Sequence, residues 1–358
     1  LNYTPFRHLG ALFWKRRPLQ LTVFLTRRCN SRCRFCFYLS AGHRGPSDEL
    51  SGAELARIAD STGSLLWLAF SGGEIFLRDD LVEITRIFYE RSRPAIILLP
   101  SNGLLPERIF AWTKEILDRC PKSTVVVKLS IDGPPPLHDR MRGIPGGHAK
   151  TMATYEALAE LLGSYRNFDL GINTVFCRAN QEAMSETIDE IGKLPNVRTH
   201  TVSLIRGEMA DAGQKKIDLE KYRQASGLLA ERLRARIAGV YRFPGGRLKA
   251  AQDILQRKMI YETALASRAL LPCYAGRLNA VVTETGDVYP CESFTRKIGN
   301  IRESEYDLRQ MLRTPEAQHL IDSINAGGCS CTHECYMMTN ILFNPRMAPA
   351  LLREYLRL

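Results

Sequence analysis

No apolar run in this chain approaches the eighteen or so residues that cross a bilayer, so no membrane-spanning helix is expected. Residues 9–14 are too short for the apolar core of a secretory signal. Acidic residues are missing from positions 1–46, which hold nine Lys or Arg. Internal repeats, low-complexity stretches and any recognisable nucleic-acid module are absent as well. A nucleic-acid partner is therefore not expected, although 49 Lys and Arg stand against 38 Asp and Glu. The basic excess suits an anionic lipid, a phosphorylated ligand, an anionic cofactor or merely a solvated surface. With 45% hydrophobic and 24% charged residues, disorder, collagen and coiled coil are excluded as the main state. The 358 residues leave room for two domains, or one large domain with an appendage.

Ten cysteines are too sparse for a disulfide scaffold and too clustered for chance. Cys29, Cys33 and Cys36 form one group, and Cys329, Cys331 and Cys335 another. Cys273 and Cys291 lie between them near turn signals, while Cys120 and Cys177 stand alone. Such clusters without a secretory signal point to metal sites in a reducing compartment, hence a cytoplasmic location. Zinc is one reading, but zinc sites pair two short spacings, and the first group has only three thiols. Three thiolates suit a [4Fe–4S] cluster with one iron left open.

The hydrophobic period alternates strand and helix over the first two thirds. Strands are expected at residues 21–26, 66–71, 95–100, 125–131, 169–176 and 199–205, and helices at 51–60, 80–91, 107–119, 149–162 and 181–193. Ser51 and Asp79 are the expected N-caps of the first two helices. The alternation implies a parallel sheet with helices outside, partly or wholly closed into a barrel, with its chemistry at the C-terminal strand ends. The first Cys group follows strand one, and Ser71-Gly72-Gly73-Glu74 ends strand two. Helical patterns at 219–237 and 248–268 flank the breaker Phe243-Pro244-Gly245-Gly246. A hairpin over 278–290 is able to bring Cys273 and Cys291 together, and a further helix begins near 305.

The run Cys29-Asn30-Ser31-Arg32-Cys33-Arg34-Phe35-Cys36 is CxxxCxxC with an aromatic residue before the last Cys. It resembles the radical S-adenosylmethionine (radical SAM) superfamily. Gly72-Gly73-Glu74 resembles the family's GGE motif, and Ser101-Asn102-Gly103 and Ser130-Ile131-Asp132-Gly133 resemble its next strand ends. Ile75 departs from the usual Pro. The resemblance covers about residues 19–335 and implies a partial (β/α)6 TIM-like barrel. Three Cys-ligated irons leave one that S-adenosylmethionine (SAM) chelates. Electron transfer then gives methionine and a 5′-deoxyadenosyl radical, which takes hydrogen from an unactivated carbon. By resemblance, Glu74 with the backbone of Gly72 and Gly73 holds the methionine amine, Phe35 lies by the adenine, and Ser130 and Asp132 lie near the ribose. An external one-electron reductant of flavodoxin or ferredoxin type is implied.

The C-terminal part resembles the auxiliary-cluster extensions of this superfamily, the SPASM and twitch domains. Cys273, then Gly286, then Cys291 fits their hairpin, and Cys329, Cys331 and Cys335 the return segment. Five thiols are fewer than the full SPASM pattern carries. One auxiliary [4Fe–4S] cluster is therefore expected, on Cys273, Cys291 and two of the last three; zinc is the alternative, with His333 as an optional ligand. The implied division is a basic segment 1–18, a core 19–210, a helical bridge 211–270, an auxiliary domain 271–340 and an amphipathic helix 341–358. That last helix is expected to pack under the barrel or to touch an anionic membrane.

Glu292 is by resemblance a candidate base toward the substrate radical, against a salt-bridged carboxylate. Cys177 is a candidate hydrogen donor, against a small buried thiol. Arg142 and Arg206 are able to hold an anionic group or to form structural ion pairs. The expected reaction is oxidation or epimerisation of a small molecule such as a sugar or alcohol. The rivals are modification of a ribosomally made peptide or protein side chain, and a non-enzymatic iron–sulfur electron carrier or redox sensor.

Overall fold

A computed structural model describes residues 2–38, 48–326 and 329–358. Six parallel strands come first: β1 Gln20–Thr26, β2 Trp67–Gly72, β3 Ile96–Ser101, β4 Thr124–Ser130, β5 Phe168–Phe176 and β6 Thr199–Leu204. Between them run α1 Gly52–Thr62, α2 Leu81–Ser92, α3 Pro106–Arg119, α4 Pro135–Arg142, α5 Gly147–Ser164 and α6 Met184–Gly192. The strands lie within two residues of their expected limits. Helix α4 is a correction: its Pro-rich start reads as loop, but Pro is tolerated in a helix's first turn. The second expected cap also shifts. Asp80, not Asp79, precedes α2, and its carboxylate serves Arg78 at 2.7 Å instead of the helix. Ser51 caps α1 as expected, reciprocally with Glu54.

All seven residues of β1 are buried, as befits a parallel strand covered on both faces. The side-chain alternation sorts the two faces. Leu21, Val23, Leu25, Leu68, Phe70, Val125, Val127 and Leu129 pack against the outer helices. Thr22, Trp67, Ala69, Ser71, Lys128, Ser130, Asn173, Thr201 and Ser203 point into a central cavity.

The later segments are α7 Leu219–Arg234, α8 Gly246–Ala266, β7 Asn279–Val282, β8 Asp287–Tyr289, β9 Gly299–Asn300, α9 Leu308–Met311, α10 Pro315–Ala326, α11 Glu334–Leu342 and α12 Ala348–Arg357. The hairpin β7–β8 joins the same sheet. Strand β7 pairs in parallel with β1, from Gln20↔Asn279 to Val23↔Val282. The order is β6-β5-β4-β3-β2-β1-β7-β8-β9, an open sheet and so a partial barrel. Its β6 edge is covered by α7, α8 and α11, through Val202, Leu204, Tyr222, Leu229, Leu255 and Met337. The expected single C-terminal helix is broken. Asn344 accepts the Arg346 N–H at 3.1 Å, and Pro345 disfavours helix at the residue before it. In α12, Leu351 is buried while Leu352 and Leu356 are exposed. Among the described residues no helix is long and apolar enough to cross a membrane.

Candidate active site

The loop after β1 is clamped by its neighbours. Thr26 carbonyl accepts the Gly73 N–H at 2.8 Å, and Arg28 carbonyl accepts the Glu74 N–H at 2.9 Å. A Cβ at Gly72 would lie 2.4 Å from the Thr26 oxygen, and one at Gly73 2.1 Å from the Arg28 oxygen. Both glycines are thus required for β2 to close on the Cys loop, and Gly72 also has φ +119°. Asn102 Nδ2 donates to Asn30 Oδ1 at 2.7 Å. Arg142 carbonyl accepts from Ser31 Oγ at 3.0 Å and from Arg32 N–H at 2.8 Å. Ser31 also donates its N–H to Cys29 Sγ at 3.4 Å, and its Oγ lies 3.2 Å from Cys33 Sγ. Cys29, Cys33 and Cys36 all line the inner cavity, of about 340 Å³, with Phe35, Gly72, Gly73, Glu74 and Ser130.

Glu74 is buried, and three donors hold its carboxylate. Ser101 Oγ and Phe76 N–H reach Oε1 at 3.0 and 3.2 Å, and Asn102 N–H reaches Oε2 at 2.7 Å. Burial nonetheless pushes the carboxyl up to about 7. A cation in the cavity would restore its charge, which fits the ammonium of SAM. Phe35 lies under the Arg142 guanidinium, 5.4 Å from the ring centroid.

Two expected residues stand apart from the cavity. Asp132 is wholly buried: Oδ2 pairs with Arg142 Nε at 2.6 Å, and Oδ1 accepts the Val175 N–H at 2.8 Å. Its carboxylate is committed to protein partners, so it acts on the cavity through Arg142. Cys177 lies at 0% exposure in an apolar cluster with Phe35, Met141 and Ile205. Burial pushes its thiol up to about 11.

In the C-terminal region Cys273, Cys291, Cys329, Cys331 and Cys335 share one apolar cluster with Phe24, Val281, Ile324 and Tyr336. Burial raises Cys291 well above the usual thiol and Cys331 to about 12, and Cys273 and Cys329 reinforce both shifts. Cys335, in the first turn of α11, also lines the inner cavity, unlike the other four. Among the described residues no three His, Cys, Asp or Glu side chains converge as one metal ion requires. A zinc site needs four ligands on one ion. A cubane takes one thiolate on each iron, so its ligands stand around a cluster, and a grouped but spread set of thiols suits it.

Glu292, next to Cys291, also lines the inner cavity. His333 Nδ1 accepts the Cys335 N–H at 3.2 Å, so its Nε2 carries the proton facing Glu292 Oε2 at 2.9 Å. Burial opposes charge on Glu292, but His333 and Arg206 outweigh it and hold the carboxyl below its usual range. Arg206 is itself paired with Glu334 at 2.8 Å. Both pairs line the same cavity as the first Cys group.

Two family models match: the radical SAM superfamily over residues 23–191, and the SPASM iron–sulfur cluster-binding domain over residues 273–336. The chain is a radical SAM protein with a C-terminal SPASM domain. It is 34% identical over 175 residues to PqqA peptide cyclase of Ruegeria pomeroyi, a match covering 48% of this chain and 43% of that protein. It thus spans less than half the length of that relative. It is 28% identical over 317 residues to AdoMet-dependent heme synthase of Methanosarcina barkeri, covering 84% and 86% of the two chains. The solved structure of anSMEcpe with bound AdoMet superposes with TM-score 0.60 at 17% identity, over 95% of this chain and 96% of that one. Streptococcus suis SuiB bound to S-adenosylmethionine gives 0.59 at 18%, over 86% and 68%. These structures share the fold.

A radical SAM core therefore carries a [4Fe–4S] cluster and SAM, and the SPASM domain an auxiliary iron–sulfur cluster. Several lining residues escape a reading by motif. Ser101 and Asn102 hold Glu74, although their sequence only resembles a family strand end. Lys128 is the single charge in Thr124–Ser130, and that interruption of an apolar strand was its signal. Tyr241 and Lys249 come from the helical bridge, where nothing in the local pattern marks a cavity wall.

Proposed function

We propose that this radical SAM enzyme abstracts hydrogen from a side-chain carbon of a ribosomally made peptide or protein and leaves that side chain oxidised or cross-linked. The observation that carries the reading is the inner cavity, which gathers Cys29, Cys33, Cys36, Gly72, Gly73, Glu74 and Glu292 around one space. The peptide class rests on the relatives. PqqA peptide cyclase is named for a peptide, and the Bacillus subtilis sporulation killing factor maturation protein SkfB, 27% identical over 176 residues, for maturation of such a factor. This replaces the sugar or alcohol expected from the sequence. A second reading is a carboxylate-bearing tetrapyrrole, favoured by the nearly end-to-end match to the heme synthase.

Cys29, Cys33 and Cys36 would hold a cluster that, with SAM bound, would supply the hydrogen-abstracting radical, and the auxiliary-domain thiols would hold one able to accept an electron. Glu74 and the backbone of Gly72 and Gly73 would hold the ammonium of SAM, and Phe35 and Ser130, which line the same cavity, would contact its nucleoside. Asp132 keeps Arg142 over Phe35. Glu292 Oε2, oriented by His333, accepts the proton from the substrate. Cys273, Cys291, Cys329 and Cys331 would hold the auxiliary cluster, leaving Cys335 as a cavity thiol. An external flavodoxin- or ferredoxin-type protein supplies the electron.

The test is anaerobic co-expression with short peptides encoded beside the gene, read by mass spectrometry. Loss of two hydrogens from a peptide, absent in the Cys29→Ala/Cys33→Ala/Cys36→Ala variant, is the expected result. Unchanged peptides with a mass change in Fe-coproporphyrin III would move the assignment to the second reading.

A further inference from the structure

A second, larger cavity of about 650 Å³ lies between β6, α7 and α8. Thr201, Tyr241 and Asp253 line both it and the inner cavity, so the two adjoin at these side chains. The outer cavity is cationic. Lys193, Arg198, Arg232, Arg236 and Arg257 line it against Asp189 and Asp253. Both acids are already committed, Asp189 to Arg232 and Asp253 to Lys249.

Arg257 is only 9% exposed. Its Nη2 donates to His200 carbonyl at 3.2 Å, but its buried Nη1 has no partner among the described residues. Arg198 Nε is buried and unpartnered in the same way. A buried guanidinium donor without an acceptor is costly, and folded proteins rarely retain one. On the inner side, Lys128 Nζ donates to Thr201 Oγ1 at 2.6 Å. Burial, with Arg257 and Lys128 nearby, holds His200 down at about 3, so this imidazole is neutral and leaves the guanidinium donors to an incoming anion.

We propose that the outer cavity is a carboxylate subsite, in which Arg257 and Arg198 hold an acidic end of the substrate while its reacting carbon lies in the inner cavity. Planar guanidinium forks match a carboxylate in two parallel hydrogen bonds. The proposal rests on the inner cavity being the reaction site, and it deepens that reading by naming the substrate's chemistry. The carboxylates come either from Asp and Glu side chains of a peptide or from a tetrapyrrole.

The test is titration calorimetry of the reconstituted protein with pentaglutamate, pentaglutamine and Fe-coproporphyrin III at constant ionic strength. At least one carboxylate probe is expected to bind about tenfold or more tightly than pentaglutamine. The Arg198→Met/Arg257→Met variant is expected to lose that preference while retaining its iron content, and Arg257→Lys to recover part of it. Tighter pentaglutamate points to a peptide source, and tighter porphyrin to a tetrapyrrole. Equal binding of pentaglutamate and pentaglutamine with no porphyrin binding by wild type overturns the proposal, and needs no variant to fold. So does an undiminished preference in the double variant. These outcomes are separate from the peptide mass change, which tests the reaction itself.

Discussion

The two cysteine regions are attached to adjacent strands, yet their surroundings differ. The loop after β1 is polar and wedged: Asn30, Ser31 and Arg32 are tied to the ends of β3 and α4, and Gly73 and Glu74 bond back to it. Its thiols face a cavity that also holds Glu74 and Arg142. The region around β7 and β8 is apolar and aromatic, with Phe24, Tyr336 and Ile324 against the thiols. A cluster that must receive a charged chelate needs a polar wall open to a cavity. One that only passes electrons is served by dry packing, where solvent does not reorganise around each change of charge.

The comparison breaks most sharply if both regions carry the same function. Cys29→Ala/Cys33→Ala/Cys36→Ala is expected to abolish 5′-deoxyadenosine formation and to lower the iron count from about eight to about four. Iron assay and chromatography check both. Glu292→Gln is expected to slow substrate turnover by about 10²- to 10⁴-fold, with SAM cleavage retained. Equal loss of both activities would return Glu292 to a structural role. Glu74→Gln is expected to weaken SAM binding about 10- to 100-fold at unchanged iron content, since it removes a charged hydrogen-bond acceptor. The same residue gives a pH test. In the free protein Glu74 takes a proton below about 7, which the ammonium must displace. SAM affinity should therefore fall as pH drops below 7, and Glu74→Gln should flatten that fall. Cys335→Ser is expected to leave the iron count near that of wild type while Cys331→Ser lowers it; the reverse order would exchange their roles.

Much of this was legible in the sequence, because the signals were local. Apolar runs of strand length between amphipathic helices placed β1 to β6, and the Cys spacing marked the loop after β1. The pairing of β7 with β1 was not legible: both are short apolar strands, and such a run carries no record of its neighbour. Asp132 was a candidate by resemblance to a family motif, but whether a carboxylate faces a cavity or a buried arginine depends on α4, whose Pro-rich start reads as loop. Arg257 sits on α8 in a pattern like any surface charge, and only the packing of α8 on β6 buries it. The break between α11 and α12 was present in Asn344-Pro345, although the hydrophobic period continues on either side.

The parallel ladder between Gln20 and Asn279 has a consequence for biosynthesis. Strand β1 leaves the ribosome well before its partner β7. Until β7 arrives, one side of β1 is an open edge bearing the loop that receives the first cluster, a surface on which strands of other chains can add. Slow translation or scarce iron would therefore be expected to show first as aggregation of nascent chains rather than as inactive soluble enzyme.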